Sequence, residues 1–139
     1  EVVREVSAED SGIELSLLGQ SKFLQGNLDG SKRDFREGLS IAKQGDRYFS
    51  KSLSLLLFSN TYANLQPKIT IQILGMVDGY RRNKLDEQLP PLWEKELDSA
   101  IVKVRQHLHE SEVNLAWEEG KKMTIDQALD LALQTLDEI

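Results

Sequence analysis

The stretch Leu15–Asp46, LSLLGQSKFLQGNLDGSKRDFREGLSIAKQGD, decides the fold. Read at helical spacing, it is two short amphipathic helices joined by a tight turn. The first carries Leu15, Leu18 and Phe23 and stops at Gly26-Asn27, where glycine lets a chain leave a helix through a left-handed residue. Asp29 stands where an N-cap is expected. A second helix follows with Phe35, Leu39 and Ala42 and ends near Gly45-Asp46. Helices this short cannot bury their apolar faces as an isolated pair, so they require stacked neighbours. The expectation is a helical repeat.

Composition narrows the class. A chain of 139 residues suits one domain that buries roughly two-thirds of its unfolded surface. The absence of Cys excludes disulfides, thiol nucleophiles and thiolate metal sites, and suits a reducing, cytoplasmic compartment. A net charge of −6 and a pI near 5.0 argue against direct nucleic-acid contact, which needs a clustered basic face. No apolar run approaches the roughly 18–20 residues of a membrane span, and no signal peptide is visible. The chain starts at Glu1 without Met, inside what already reads as a helix, VVREV. It is expected to be a fragment of something longer.

Outward from the central stretch, Glu1–Val6 reads as the tail of a preceding helix, and Asp10 or Ser11 as the cap of the next. A third helix spans about Arg47–Asn64; its dense apolar set (Leu53, Leu55, Leu56, Leu57, Phe58, Tyr62) predicts burial from more than one side. Pro67 suits the first turn of a fourth helix, although the alternating ITIQI within it also fits a strand. Gly79–Gln88 is a polar connector closed by Leu89-Pro90-Pro91. A fifth helix places Trp93, Leu97, Ile101, Val104 and Leu108 on one stripe. A sixth runs over about Glu110–Glu119, and Thr124-Ile125-Asp126-Gln127 forms a capping box for a seventh.

The order Leu18-Gly19, Gly26-Asn27, Ser31, Phe35 and Gly38 resembles one tetratricopeptide repeat, whose small residues let two helices approach closely. It departs from that pattern at Lys22, where an aromatic is common, and in lacking a proline near Lys43. A second, diverged unit lies 39 positions on, aligning Leu18 with Leu57, Ser31 with Thr70 and Phe35 with Leu74. The C-terminal third, with Pro90, Pro91, Ala116, Trp117, Gly120, Thr124, Ala128, Leu131 and Ala132, is similar to the end of large bacterial signal-transduction ATPases and transcriptional regulators. Gln66-Pro67 and Leu74-Gly75 match as well. The resemblance implies an all-α superhelix of about seven helices: tetratricopeptide-like pairs over residues 1–82 and a C-terminal helical cap over 83–139. It also implies a groove lined by the first helix of each pair, at Ile13, Ser16, Gln20, Phe23 and Leu24 and at Ser59 and Tyr62.

Catalytic patterns are missing. His107 and His109 are two apart, about 200° around a helix, unlike the i, i+4 pair of a zinc helix. They read as residues closing one helix, where a cation favours the dipole. Glu94, Glu96, Asp98, Glu110, Glu112, Glu118 and Glu119, like Glu14, Asp34, Glu37 and Asp46, read as solvated helix faces. No GxxxxGK[ST] or GxSxG occurs. Arg81, Arg82 and Lys84 form a compact basic cluster that reads as a solubilising connector, and Trp93 and Trp117 read as core. The expectation is therefore no catalysis, no cofactor and no metal. The chain should be a protein-protein interaction arm of a larger cytoplasmic regulator, binding a protein, a peptide or another domain of its own chain. The alternative is a peptide- or small-ligand sensor. Val2, Val3 and Val6 on an uncovered edge would promote self-association.

Overall fold

Helix α1 (Val2–Leu24) ends before Gly26, whose φ of +84° is the left-handed exit that glycine adopts at little cost. The Asn27 N–H then returns to the Lys22 carbonyl at 2.8 Å, and the Asn27 side chain accepts the Gly30 N–H at 2.9 Å. Asn27, rather than Asp29, therefore caps α2 (Leu28–Gln44). Asp29 sits in the first turn, where a carboxylate still favours the dipole. Five more helices follow: α3 (Tyr48–Tyr62), α4 (Pro67–Tyr80), α5 (Pro91–Arg105), α6 (Glu110–Lys121) and α7 (Ile125–Glu138). The computed structural model describes residues 2–80 and 90–139, with side chains from 11 to 79 and from 90 onward. Among the described residues the fold is all-α, with seven helices and no strand. None of these helices is long and apolar enough to cross a membrane.

One expectation changes here, and the helix expected to open at Pro67 is found. The polar run Ser7–Ser11 does not interrupt the chain but lies inside α1, which is continuous from Val2. No Pro or Gly precedes Gly12, and Ser or Asp within a helix costs at most about 0.7 kcal/mol each. The ITIQI stretch is helical, because Pro67 opens α4 and the helical register puts Thr70, Ile71, Ile73 and Leu74 in the interior. Arg81, Arg82 and Lys84 lie outside the described residues.

Helix α3 is the centre. Every residue from Ser50 to Ala63 is buried, and α1, α2, α4, α5 and α7 all pack on it. Its buried serines, Ser50, Ser52, Ser54 and Ser59, are small enough for neighbours to come close on several sides. Its large residues fill the space between. Phe58 and Tyr62 meet Phe35 of α2 edge-on, with centroids 5.9 and 5.6 Å away. Full burial of each such side chain contributes about 1.5–3 kcal/mol.

Helices α1 and α2 lie close because Gly19 faces the Phe35 ring, where a Cβ would come within 2.6 Å, and Gly38 faces the Gly12 carbonyl. Lys22 and Asp34 close this pair with an ion pair of 2.6 Å, so Asp34 is buried rather than solvated. Helices α3 and α5 run side by side in the same direction. Phe49 meets Trp93, Asn60 meets Lys103 and Asn64 meets His107. Helices α4 and α6 cross backbone to backbone. A Cβ on Gly75 would strike the Trp117 carbonyl, and one on Gly120 that of Gln72.

The C-terminal third does not simply cap the end of the stack. Helix α7 folds back onto α2, α3 and α4, and touches neither α5 nor α6. Its apolar stripe, Ile125, Ala128, Leu129, Ala132 and Leu136, is buried there. Its acids run along basic residues in the opposite direction: Asp126 to Lys51 at 3.1 Å, Asp130 to Lys43, and Asp137 to Arg36 at 2.9 Å. Residues from Phe35 to Leu136 accordingly share one hydrophobic core.

Candidate functional site

Three helices each turn one row of side chains to a common cleft of about 420 Å³. Gln20, Phe23 and Leu24 come from α1, Asn60 and Thr61 from α3 and Asn64 from the turn after it, and Lys95, Glu96, Ser99 and Lys103 from α5. Gln20 with Phe23 and Leu24, Asn60 with Asn64, and Glu96 with Ser99 and then Lys103 are three or four residues apart and share a helical face, with Thr61 and Lys95 flanking it. The floor is polar. Glu96 is buried and accepts from the Asn60 amide and, at 3.4 Å to each oxygen, from Gln20 Nε2. Lys103 Nζ donates to the Asn60 carbonyl at 3.0 Å and to Asn60 Oδ1 at 2.9 Å. Burial holds the Lys103 ammonium below the ordinary lysine pKa, and the charge of Glu96 opposes that shift. At the far end His107 Nε2 meets Asn64 Oδ1 at 3.1 Å.

The rim is less committed. Leu24 is 80% exposed beside the half-buried Phe23. Lys95 and Ser99 make no hydrogen bond or ion pair among the described residues. The cleft therefore offers an apolar patch on α1, carboxamides at the C-terminal end of α3 and two cations beside one buried, hydrogen-bonded acid on α5.

Of the groove positions expected from sequence, Gln20 and Phe23 line this cleft, together with Leu24. Ile13 is half-buried against the core. Ser16 is fully buried toward α2 and donates to the Gly12 carbonyl at 2.9 Å. Ser59 is fully buried, its carbonyl accepting from Thr70 of α4 at 3.4 Å. Tyr62 is fully buried among Phe23, Phe35 and Phe58, its hydroxyl 2.7 Å from that of Ser31. The error is one of register. Across the cleft Gln20 and Leu24 correspond to Asn60 and Asn64, 40 positions on, whereas the sequence alignment uses 39. One residue turns a helical side chain by about 100°, enough to move it from groove to core.

Lys95, Glu96, Ser99 and Lys103 were missed because α5 was assigned to a cap. Glu96 in particular is not a solvated acid. The available signal was the pair Asn60/Asn64, two carboxamides four apart at the C-terminal end of α3. The histidines do not close one helix together. His107 turns to Asn64, and His109 precedes α6 and donates its N–H to Glu112 at 3.0 Å. Among the described residues no group of His, Asp and Glu is placed to hold a metal. Trp93 is buried against Phe49, centroids 5.3 Å apart, and Trp117 is half-buried between α4 and α5.

No protein-family model, curated protein or solved structure matches this chain. The functional reading rests on its own geometry.

Proposed function

We propose that this chain is a binding arm whose cleft between α1, α3 and α5 holds an extended segment of a partner protein or of a neighbouring domain. The observation that carries the proposal is the open polar cleft with an exposed apolar rim: among the described residues Lys95 has no hydrogen-bond or ion-pair partner and Leu24 is exposed, while the floor is already satisfied. Such a surface matches a segment bearing an apolar side chain next to an acidic group. Recognition would come from shape and from hydrogen bonds to Asn64, Ser99 and Lys95. Binding rather than catalysis is supported by Glu96, the one carboxylate lining the cleft, which two amides already occupy. The stacking of α3 on α1 and α2, and of α5 on α3 and α4, supports the tetratricopeptide-like reading. With it comes the assignment to a larger cytoplasmic signalling or transcriptional regulator.

Displayed peptides selected on the wild-type chain test this reading when rescreened on a Leu24→Glu, Asn64→Ala, Lys95→Glu variant. All three positions are exposed, so the fold is retained, which circular dichroism checks. The expected result is at least a tenfold loss of binding. Selected peptides that bind both proteins equally would move the site elsewhere.

A further inference from the structure

A second surface points to a different partner. Within the stack each odd helix lies on the preceding pair, α3 on α1 and α2, and α5 on α3 and α4. The next odd helix, α7, breaks the series by folding back to α2, α3 and α4. The seat it leaves on α5 and α6 is a slot of about 190 Å³ that mixes apolar side chains, Ile71, Ile101, Val113 and Trp117, with the polar Asn114 and Arg105. Val102, on the neighbouring face of α5, is 59% exposed. Helices α5 and α6 barely touch each other, so the slot opens outward between them.

At the opposite end of the stack, α1 carries an exposed row, Glu14, Leu17, Leu18 and Ser21, that runs to Leu24 at the edge of the cleft. Three leucines at helical spacing form an apolar face that no described residue covers. The two ends carry opposite charges. Glu14 is the one charged side chain in the α1 row, and Arg105 the one charged side chain lining the slot, loosely met by Glu110 at 3.6 Å.

We infer that copies of this chain stack head to tail, the α1 face of one copy taking the vacant seat on α5 and α6 of the next. The contact repeats between molecules the arrangement that α3 and α5 make within one. It joins two different surfaces, a heterologous contact that adds further copies as concentration rises, into an open filament or a closed ring. It meets the cleft proposed above only at Leu24, and neither Leu18 nor Val102 lines that cleft.

Sedimentation velocity over a concentration series tests this with Leu18→Glu, which blocks the α1 face, and Val102→Glu, which blocks the seat. Both positions are exposed, and circular dichroism confirms that each variant folds. Wild type should form species that lengthen with concentration. Each variant alone should remain at the 15.8 kDa monomer mass. An equimolar mixture should give a dimer and stop there, since each variant keeps one working face. A monomeric wild type overturns the inference. So does a Val102→Glu variant that still associates, which would mean α1 pairing with α1, or a mixture that stays monomeric.

Discussion

At Gly120 the place of a side chain is taken by the Gln72 carbonyl across the α4–α6 crossing, and at Gly75 by that of Trp117. Alanine at either position has to force two helices apart, and overpacking of this kind costs about 1–3 kcal/mol. The urea midpoint of Gly120→Ala should fall accordingly, with an unchanged m value. Tyr62 gives a pH signature. Burial raises its phenol above the ordinary value of 10.0, and the bond to Ser31 pulls the other way. A raised group stabilises the fold fully below its unfolded pKa and loses that contribution as pH rises through the folded one. Stability should therefore decline above about pH 10. Lys103, held low, has the opposite sign: its folded form gains as pH rises toward the ordinary lysine value. Urea melts of wild type and Tyr62→Phe at neutral and alkaline pH isolate the phenol. The variant should lose about 0.5–1.5 kcal/mol at pH 7 through the missing hydroxyl bond, and the gap should narrow above pH 10. At this scale the sequence was legible where chemistry is local, as at Gly26, and silent where a single residue of register decides. Gln20 and Phe23 reach the cleft, whereas Ser59 and Tyr62 lie one step round the helix from it.

Among elements, α7 separates two kinds of force. Its pairs with Arg36 and Lys43 are exposed on both partners, and such pairs contribute about 0–1 kcal/mol. Leu129, fully buried against α2, α3 and α4, should cost about 2–5 kcal/mol when cut to Ala. Thermal unfolding of Lys43→Ala should thus resemble wild type, while Leu129→Ala melts well below it; a reversal would make α7 an electrostatic strap. Each helix was readable from its stripe and its stops: Pro67 opens α4, Pro91 opens α5, and Thr124 and Gln127 box the start of α7 at 2.9 and 3.1 Å. Where α7 would dock was not readable. An apolar stripe states that a partner exists, and the acids beside it look the same facing water or facing Lys43.

For the molecule as a whole, the fold-back makes one core from two stretches that read as an array and its cap. Removing residues 125–139 should therefore abolish cooperative unfolding, because α3 loses its α7 cover; circular dichroism and a urea melt of the shortened chain check this. A true terminal cap would leave a folded stack behind. The reach of this contact was hidden because local pattern carries no information about pairings roughly a hundred residues apart. The cleft was half hidden for a related reason, since α5 completes it from beyond the connector.

The same fold-back orders events in time. A stack of neighbours can consolidate repeat by repeat as it leaves the ribosome. Here Arg36 waits for Asp137, a separation of 101 residues, and Lys51 for Asp126, 75 residues on. Until Ile125–Glu138 has been synthesised, the groove between α2 and α4 has no lining. The nascent chain must spend that interval with apolar surface bare, a window for chaperone capture that a strictly sequential stack would not have.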